Sequence, residues 1–345
     1  MKYIGNKTRV LDFIKYCMDE FKINYKRKRV ADLFAGTGSV SNFFLKNGCE
    51  VYSCDNMTYS ICEQYRVNYY SKEPSFNELK GFNISTLSDV LNYLNNLEGK
   101  KGYFYENYAP SGKYNRQYFS DNNAMKIDSI ADALDNWKKL LPNDKYSFLQ
   151  GIFICAADKV SNTSGTYGAY LKIWRSMALK PIFLEKPELT SNGTNIIIKD
   201  DVANFVKNNK KFDIVYLDPP YNRRQYASNF HVLESIVVND KQQLKGKTGL
   251  RNYDNQKSDY CMSSKVLNSF NELVKNIDSN YIVMSYSTEG LLKEKEIYDV
   301  LSKKGKVSVY KNDYRRFKTN AWTDDKTGLQ EIVFICKVKR KKKGL

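Results

Sequence analysis

Histidine is almost absent: a single residue, His231, occurs in 345. One imidazole cannot furnish the paired or tripled histidines on which most catalytic zinc sites rest, and it leaves no partner for a proton relay. Ser-His-Asp hydrolysis would have to run through that one side chain, and its neighbours Phe230, Val232 and Leu233 are apolar, which predicts a structural place for it. The seven cysteines (17, 49, 54, 62, 155, 261 and 336) are odd in number and show no C-x-x-C spacing. Neither a disulfide framework nor a zinc ribbon is therefore expected, reduced and mostly buried thiols are, and no metal site is predicted. No run of about 18 apolar residues occurs, and no apolar stretch of about 7 to 15 residues follows the polar N-terminus MKYIGNKTRV. A soluble, cytoplasmic protein with no membrane partner is the expectation.

Positive charge is plentiful. Fifty-five Lys and Arg against 38 Asp and Glu give a net charge of +17, on a chain with 42% hydrophobic and 14% aromatic residues. That is too much apolar material for a disordered polyelectrolyte, so the excess sits on a folded body that should seek a polyanion. It is concentrated in residues 196–345, which carry 11 of the 17 surplus charges. The length suits roughly two domains of about 150 residues.

Leu11, Ile14, Met18 and Phe21 recur at helical spacing. The apolar run 30–34 then ends in Gly36-Thr37-Gly38, and helical spacing resumes at Val40, Phe43 and Phe44. Strand, glycine turn, helix opens a βαβ unit; 50–54 predicts a second strand closed by Asp55, and a helix follows to about Tyr70. Between 71 and 194 the alternation gives way to Asn- and Tyr-rich sequence with helices expected near 86–97, 125–141 and 145–160, which reads as an insertion. Strands at 195–198, 213–217, 281–285, 307–310 and 331–337, with a helix at 202–208, complete a doubly wound α/β sheet. Residues 1–70 and 195–345 are thus expected to form one domain around the insertion, with a mobile loop at 239–260.

Two constellations carry chemistry. In Asp32-Leu33-Phe34-Ala35-Gly36-Thr37-Gly38 the glycines let backbone approach a ligand, and the following helix N-terminus offers N–H groups to an anionic group. Asp55, 19 residues after Gly36, stands where a nucleotide-binding sheet places an acceptor for ribose hydroxyls. Asp218-Pro219-Pro220-Tyr221 follows a strand expected beside the first. The prolines donate nothing, so the Asp218 carboxylate and the Pro219 carbonyl remain as acceptors, and Tyr221 adds a flat face: a receptor for a planar ring bearing an amino group.

With these motifs the chain resembles the alpha-group, Dam-like adenine DNA methyltransferases, many of them modification enzymes of restriction-modification systems. Residues 2–7 (KYIGNK) are similar to that family's N-terminal cofactor motif, 32–38 to its glycine motif, 218–221 to its catalytic motif, and 162–172 (NTSGTYGAYLK) to a loop near the target site, with Gly-Ala standing where Asn-Val is more usual. The resemblance implies an S-adenosylmethionine-dependent methyltransferase fold, mostly parallel with an antiparallel C-terminal strand, and an inserted helical target-recognition region. It implies methylation of the exocyclic amine of a flipped adenine in double-stranded DNA, by a monomer, with a cognate endonuclease acting separately and a place near the nucleoid. Asp218, Pro219, Pro220 and Tyr221 would be catalytic; Tyr3, Lys7, Asp32, Phe34, Gly36, Gly38, Asp55, Asp201 and Asp218 would hold the cofactor, Lys7 at its carboxylate. Tyr167, Lys172, Arg223, Arg224, Arg251, Arg315, Arg316 and Lys318 would meet DNA. An RNA or cytosine-amine methyltransferase, or a non-catalytic DNA-binding specificity partner, stands as the alternative.

Overall fold

A computed structural model describes residues 7, 10–189, 193–313 and 330–339. In chain order it contains α1 (Leu11–Glu20), β1 (Arg29–Asp32), α2 (Ser39–Lys46), β2 (Glu50–Asp55), α3 (Thr58–Asn68), α4 (Leu87–Asn96), α5 (Tyr103–Tyr108), α6 (Asp121–Trp137) and α7 (Asn143–Lys159). There follow β3 (Thr194–Lys199), α8 (Val202–Asn208), β4 (Phe212–Leu217), α9 (Tyr226–Asn229), α10 (His231–Val238), α11 (Val266–Asn276), β5 (Ser279–Ser287), α12 (Glu294–Ser302), β6 (Gly305–Asp313) and β7 (Gln330–Val338).

The seven strands form one sheet in the order β3-β2-β1-β4-β5-β7-β6. β1 to β5 run parallel, and β7 is antiparallel to both β5 and β6. Alternation along each strand divides the core. Val30, Ile214, Tyr216 and Val283 face α1 and α2, packing with Ile14, Met18, Val40 and Phe44. Ala31, Val215, Leu217 and Met284 face the other way, against Phe205, Phe270, Leu273 and Ile297 of α8, α11 and α12. Each large side chain removed from water in these layers contributes about 1.5–3 kcal/mol, which holds helices on both faces and leaves only the strand ends open. β1 is shorter than the 30–34 run suggested, because Leu33 and Phe34 already belong to the turn above the sheet. All seven cysteines are free thiols, six of them buried.

The helices of 71–194 share a core with α3 and α10. Phe76, Leu94, Phe104, Trp137, Phe148 and Phe153 form one cluster with Tyr59 and Tyr65 of α3 and with Leu233 and Ile236 of α10. Within 239–260, Lys245 and Leu250 exchange backbone hydrogen bonds at 2.8 Å, and the buried Arg116 guanidinium donates to the carbonyls of Gly246 and Lys247 at 3.0 and 3.1 Å. Among the described residues no helix is long and apolar enough to cross a membrane.

Candidate active site

Three carboxylates come together at the ends of neighbouring strands: Asp32 closes β1, Asp55 closes β2, and Asp218 follows β4 directly. The strand order reverses between β1 and β4, and a crevice necessarily opens there. A cavity of about 480 Å³ occupies it, walled by all three acids, the turn from Leu33 to Thr37, and Asp200, Asp201, Tyr226 and Tyr260.

The turn owes its shape to its glycines and to α3. Gly36 and Gly38 have φ of 50° and 76°, in the left-handed region that disfavours side chains. Gln64 Nε2 donates to the Gly36 carbonyl at 3.1 Å and Asn68 Nδ2 to the Gly38 carbonyl at 2.8 Å. The Gly36 N–H donates to Asp55 at 2.9 Å, so the turn and the end of β2 are one rigid unit. No side chain caps the α2 N-terminus that follows.

Burial pushes Asp32 up to about 7, with the Asp218 and Asp55 carboxylates adding to it against the Ser41 hydrogen bond. Ser41 donates to Asp32 Oδ2 at 2.7 Å, while Oδ1 is buried without a partner. Burial likewise lifts Asp55 to about 6 against hydrogen bonds from the Met57 and Gly36 amides. Asp218 also stands at about 6, raised by burial, lowered by Lys7 and raised again by Glu331. Lys7 Nζ lies 3.1 Å from Asp218 Oδ1 and 2.7 Å from Glu331 Oε1. Burial alone would weaken that ammonium, but the two carboxylates overcome it and hold its pKa above the ordinary value. The site is a buried acidic bowl at a glycine turn, suited to a cationic, partly apolar nucleoside.

Residues 3–300 match the profile of the D12 class N6 adenine-specific DNA methyltransferases. The chain belongs to this family. Among its relatives, the type II methyltransferase M.NlaIII of Neisseria lactamica is 36% identical over 325 residues, covering 93% of each chain. Modification methylase StsI of Streptococcus sanguinis is 35% identical over 347 residues and M.FokI of Planomicrobium okeanokoites 36% over 342. These cover 98% and 97% of this chain but 52% of each relative, so it spans about half the length of those two proteins.

D12 class enzymes use S-adenosylmethionine, and the residues present fit it. The unpartnered Asp32 oxygen suits the ammonium of its methionine part, Asp55 can accept from ribose hydroxyls, and Asp200 and Asp201 lie where an adenine amine could be met. Asp201 caps α8 through the Ala203 N–H at 2.8 Å. Phe34 lines the cavity edge-on to Tyr260, with ring centroids 4.9 Å apart.

Within the 218–221 motif, Asp218 and Pro220 line the cavity, Pro219 is buried, and Tyr221 is half-buried with its carbonyl accepting from Leu291 at 3.0 Å. Lys172, Arg223 and Arg224 are exposed. Lys7 lines the same cavity, paired with Asp218 and Glu331. Two expectations need correction. Tyr167 is fully buried, its hydroxyl donating to Asp158 at 2.9 Å, and cannot face DNA. Arg251 is 5% exposed and paired with Asp240 at 2.7 Å, because the 239–260 segment folds inward around it. Tyr3, Arg315, Arg316 and Lys318 lie outside the described residues.

Sequence reasoning missed Gln64, Asn68, Glu234 and Glu331. Gln64 and Asn68 stand four apart and therefore on one face of α3, a signal that was available. Glu234 is buried and accepts from the Thr58 and Tyr59 amides at 3.1 and 2.9 Å, neutralising the N-terminus of α3 from α10.

Proposed function

We propose that this chain is a site-specific methyltransferase acting on the exocyclic amine of an adenine swung out of duplex DNA. The observation that carries this is Asp218: it lines the same cavity as the glycine turn and Asp55, and among the described residues its Oδ2 has no hydrogen-bond partner. S-adenosylmethionine, when bound, supplies an electrophilic methyl group on a sulfonium. The amine of adenine is a poor nucleophile because its lone pair is delocalised into the ring. Asp218, with the Pro219 carbonyl, would accept both amino hydrogens and favour a tetrahedral nitrogen whose lone pair points at the methyl group. Holding donor and acceptor in line is worth several of the roughly 7–11 kcal/mol available from proximity.

Extruding the base costs a few kcal/mol, and stacking on Tyr221 returns about 1–3 kcal/mol. Lys172, Arg223 and Arg224 would take phosphates, consistent with the surplus charge. The enzyme acts as a monomer in the cytoplasm, on nucleoid DNA, opposite a separate cognate endonuclease. The family profile, which is specific to N6 of adenine in DNA, favours this over RNA or cytosine substrates. The test is transfer of tritiated methyl into unmethylated duplex genomic DNA, recovered as methyladenine. Asp218→Ala should abolish transfer yet still bind S-adenosylmethionine; label recovered as methylcytosine, or transfer by the variant, would end the proposal.

A further inference from the structure

The pairing of Lys7 sits oddly with a purely structural ion pair. One ammonium serves two carboxylates, with side chains only 8%, 15% and 10% exposed for Lys7, Asp218 and Glu331. Asp32 adds a third acid nearby, so the fully ionised group carries a net negative charge away from water. Burying such an imbalance works against stability, and is the kind of arrangement found where a site must tune a reacting group.

Topology explains how Glu331 arrives there. β7 runs against β5, so its first residues lie at the sheet end where β1, β4 and β5 finish. Glu331 is fixed on both sides, opposite Ser287 of β5 and Asn312 of β6. It takes the shorter of the two Lys7 contacts, 2.7 Å against 3.1 Å to Asp218. Also facing Asp218 are Ser285, whose hydroxyl lies 3.4 Å from Oδ1, and Tyr216, bonded to Ser285 at 2.6 Å.

We propose that Glu331 is a positioning residue for methyl transfer: it restrains the Lys7 ammonium beside one oxygen of Asp218, so that the ammonium does not press wholly on that carboxylate and its other oxygen is kept for the amino group of the target base. This rests on the reading of Asp218 as the acceptor from adenine. Lys7 without Glu331 would press wholly on Asp218 and weaken it as an acceptor. Asp218 without Lys7, buried and near Asp32 and Glu331, would take up a proton and be left with only the weaker acceptor of a neutral carboxyl group. The two neighbours therefore act on the proton affinity of Asp218 in opposite senses, Lys7 lowering it and Glu331 raising it.

The experiment follows single-turnover transfer of tritiated methyl to unmethylated duplex genomic DNA from pH 5 to 8, using the full chain and its Lys7→Met, Lys7→Arg, Glu331→Gln and Asp218→Ala variants. Lys7→Met should move the acid limb upward by about 1–3 pH units, the usual effect of removing an adjacent opposite charge. Lys7→Arg should bring it back. Glu331→Gln should move the limb downward and lower the plateau about tenfold, the scale of one lost charge-assisted contact, with cofactor affinity within about twofold of the parent. Cooperative unfolding of each variant establishes that it is folded. Limbs that stay in place, or that move in the same direction, overturn the proposal; so does a cofactor affinity that falls with the rate in Glu331→Gln. Retained transfer by Asp218→Ala would overturn the underlying role of Asp218, a failure separately visible from the pH profiles of the other variants.

Discussion

Replacing Gly38 by alanine is a demanding test of the site. The residue has φ of 76°, and an added Cβ would lie 2.3 Å from Asn68 Nδ2 and 3.1 Å from Gln64 Cγ. Asn68 has nowhere to go: it is buried, donates to the Gly38 carbonyl at 2.8 Å and accepts from Asn42 at 2.7 Å. The left-handed backbone costs a side chain about 1–2 kcal/mol, and displacing Asn68 from buried partners about 1–3 kcal/mol. Together about 2–5 kcal/mol should be lost, a large part of the roughly 5–15 kcal/mol a domain possesses. Urea unfolding should show the midpoint falling at constant slope, and titration with S-adenosylmethionine should show at least about tenfold weaker binding as the turn moves. Because the damage passes through Asn68, Asn68→Ala should cost less in the Gly38→Ala background than in the parent, with a coupling of about 1 kcal/mol or more. A stability within about 0.5 kcal/mol of the parent, or strict additivity in that cycle, would refute the reasoning.

Tyr221→Ala should reduce turnover far more than cofactor affinity, measured by steady-state kinetics beside cofactor titration; equal loss of both removes the stacking role. DNA affinity should fall steeply with salt, and Arg223→Ala and Arg224→Ala should each flatten the log–log slope by about 1, whereas Arg251→Ala should lower the unfolding midpoint and leave the slope unchanged. Burial pushes His231 down to about 4, with its Nε2 held 2.9 Å from the Tyr167 carbonyl. Below about 6.5 the unfolded chain gains a proton that the folded one refuses until about 4, so this residue's contribution declines as pH falls through that window. The stability advantage of the parent over His231→Gln should shrink by about 2 kcal/mol between pH 7 and pH 5 in denaturant titrations, and an unchanged difference would count against a neutral buried imidazole.

Local chemistry made much of the catalytic half legible. The glycine turn, the acid closing β2 and the strand before Asp218 each announce themselves within a few residues, and two-residue against 3.6-residue periodicity separates strands from helices. Long-range pairing did not announce itself. Lys7 and Glu331 are 324 positions apart, and only the antiparallel entry of β7 unites them. Tyr167 and Arg251 were misjudged for the same reason: tyrosine and arginine are commonly placed at surfaces, and nothing local foretells that Asp158 and Asp240 fold over to meet them.

The packing of 71–194 bears on how freely that region could be exchanged between relatives. Tyr70 meets Phe148 edge-on at 5.1 Å, and Tyr59 and Tyr65 of α3 share a core with Phe76, Leu94 and Phe153. α3 is also the helix whose Gln64 and Asn68 grip the glycine turn. Transplanting the whole region from a relative as a cassette would leave mismatched rings behind it and loosen the cofactor cradle at one remove. Exchange is instead tolerated as small edits at exposed tips such as Ile173, 84% exposed, where nothing beneath has to be rebuilt.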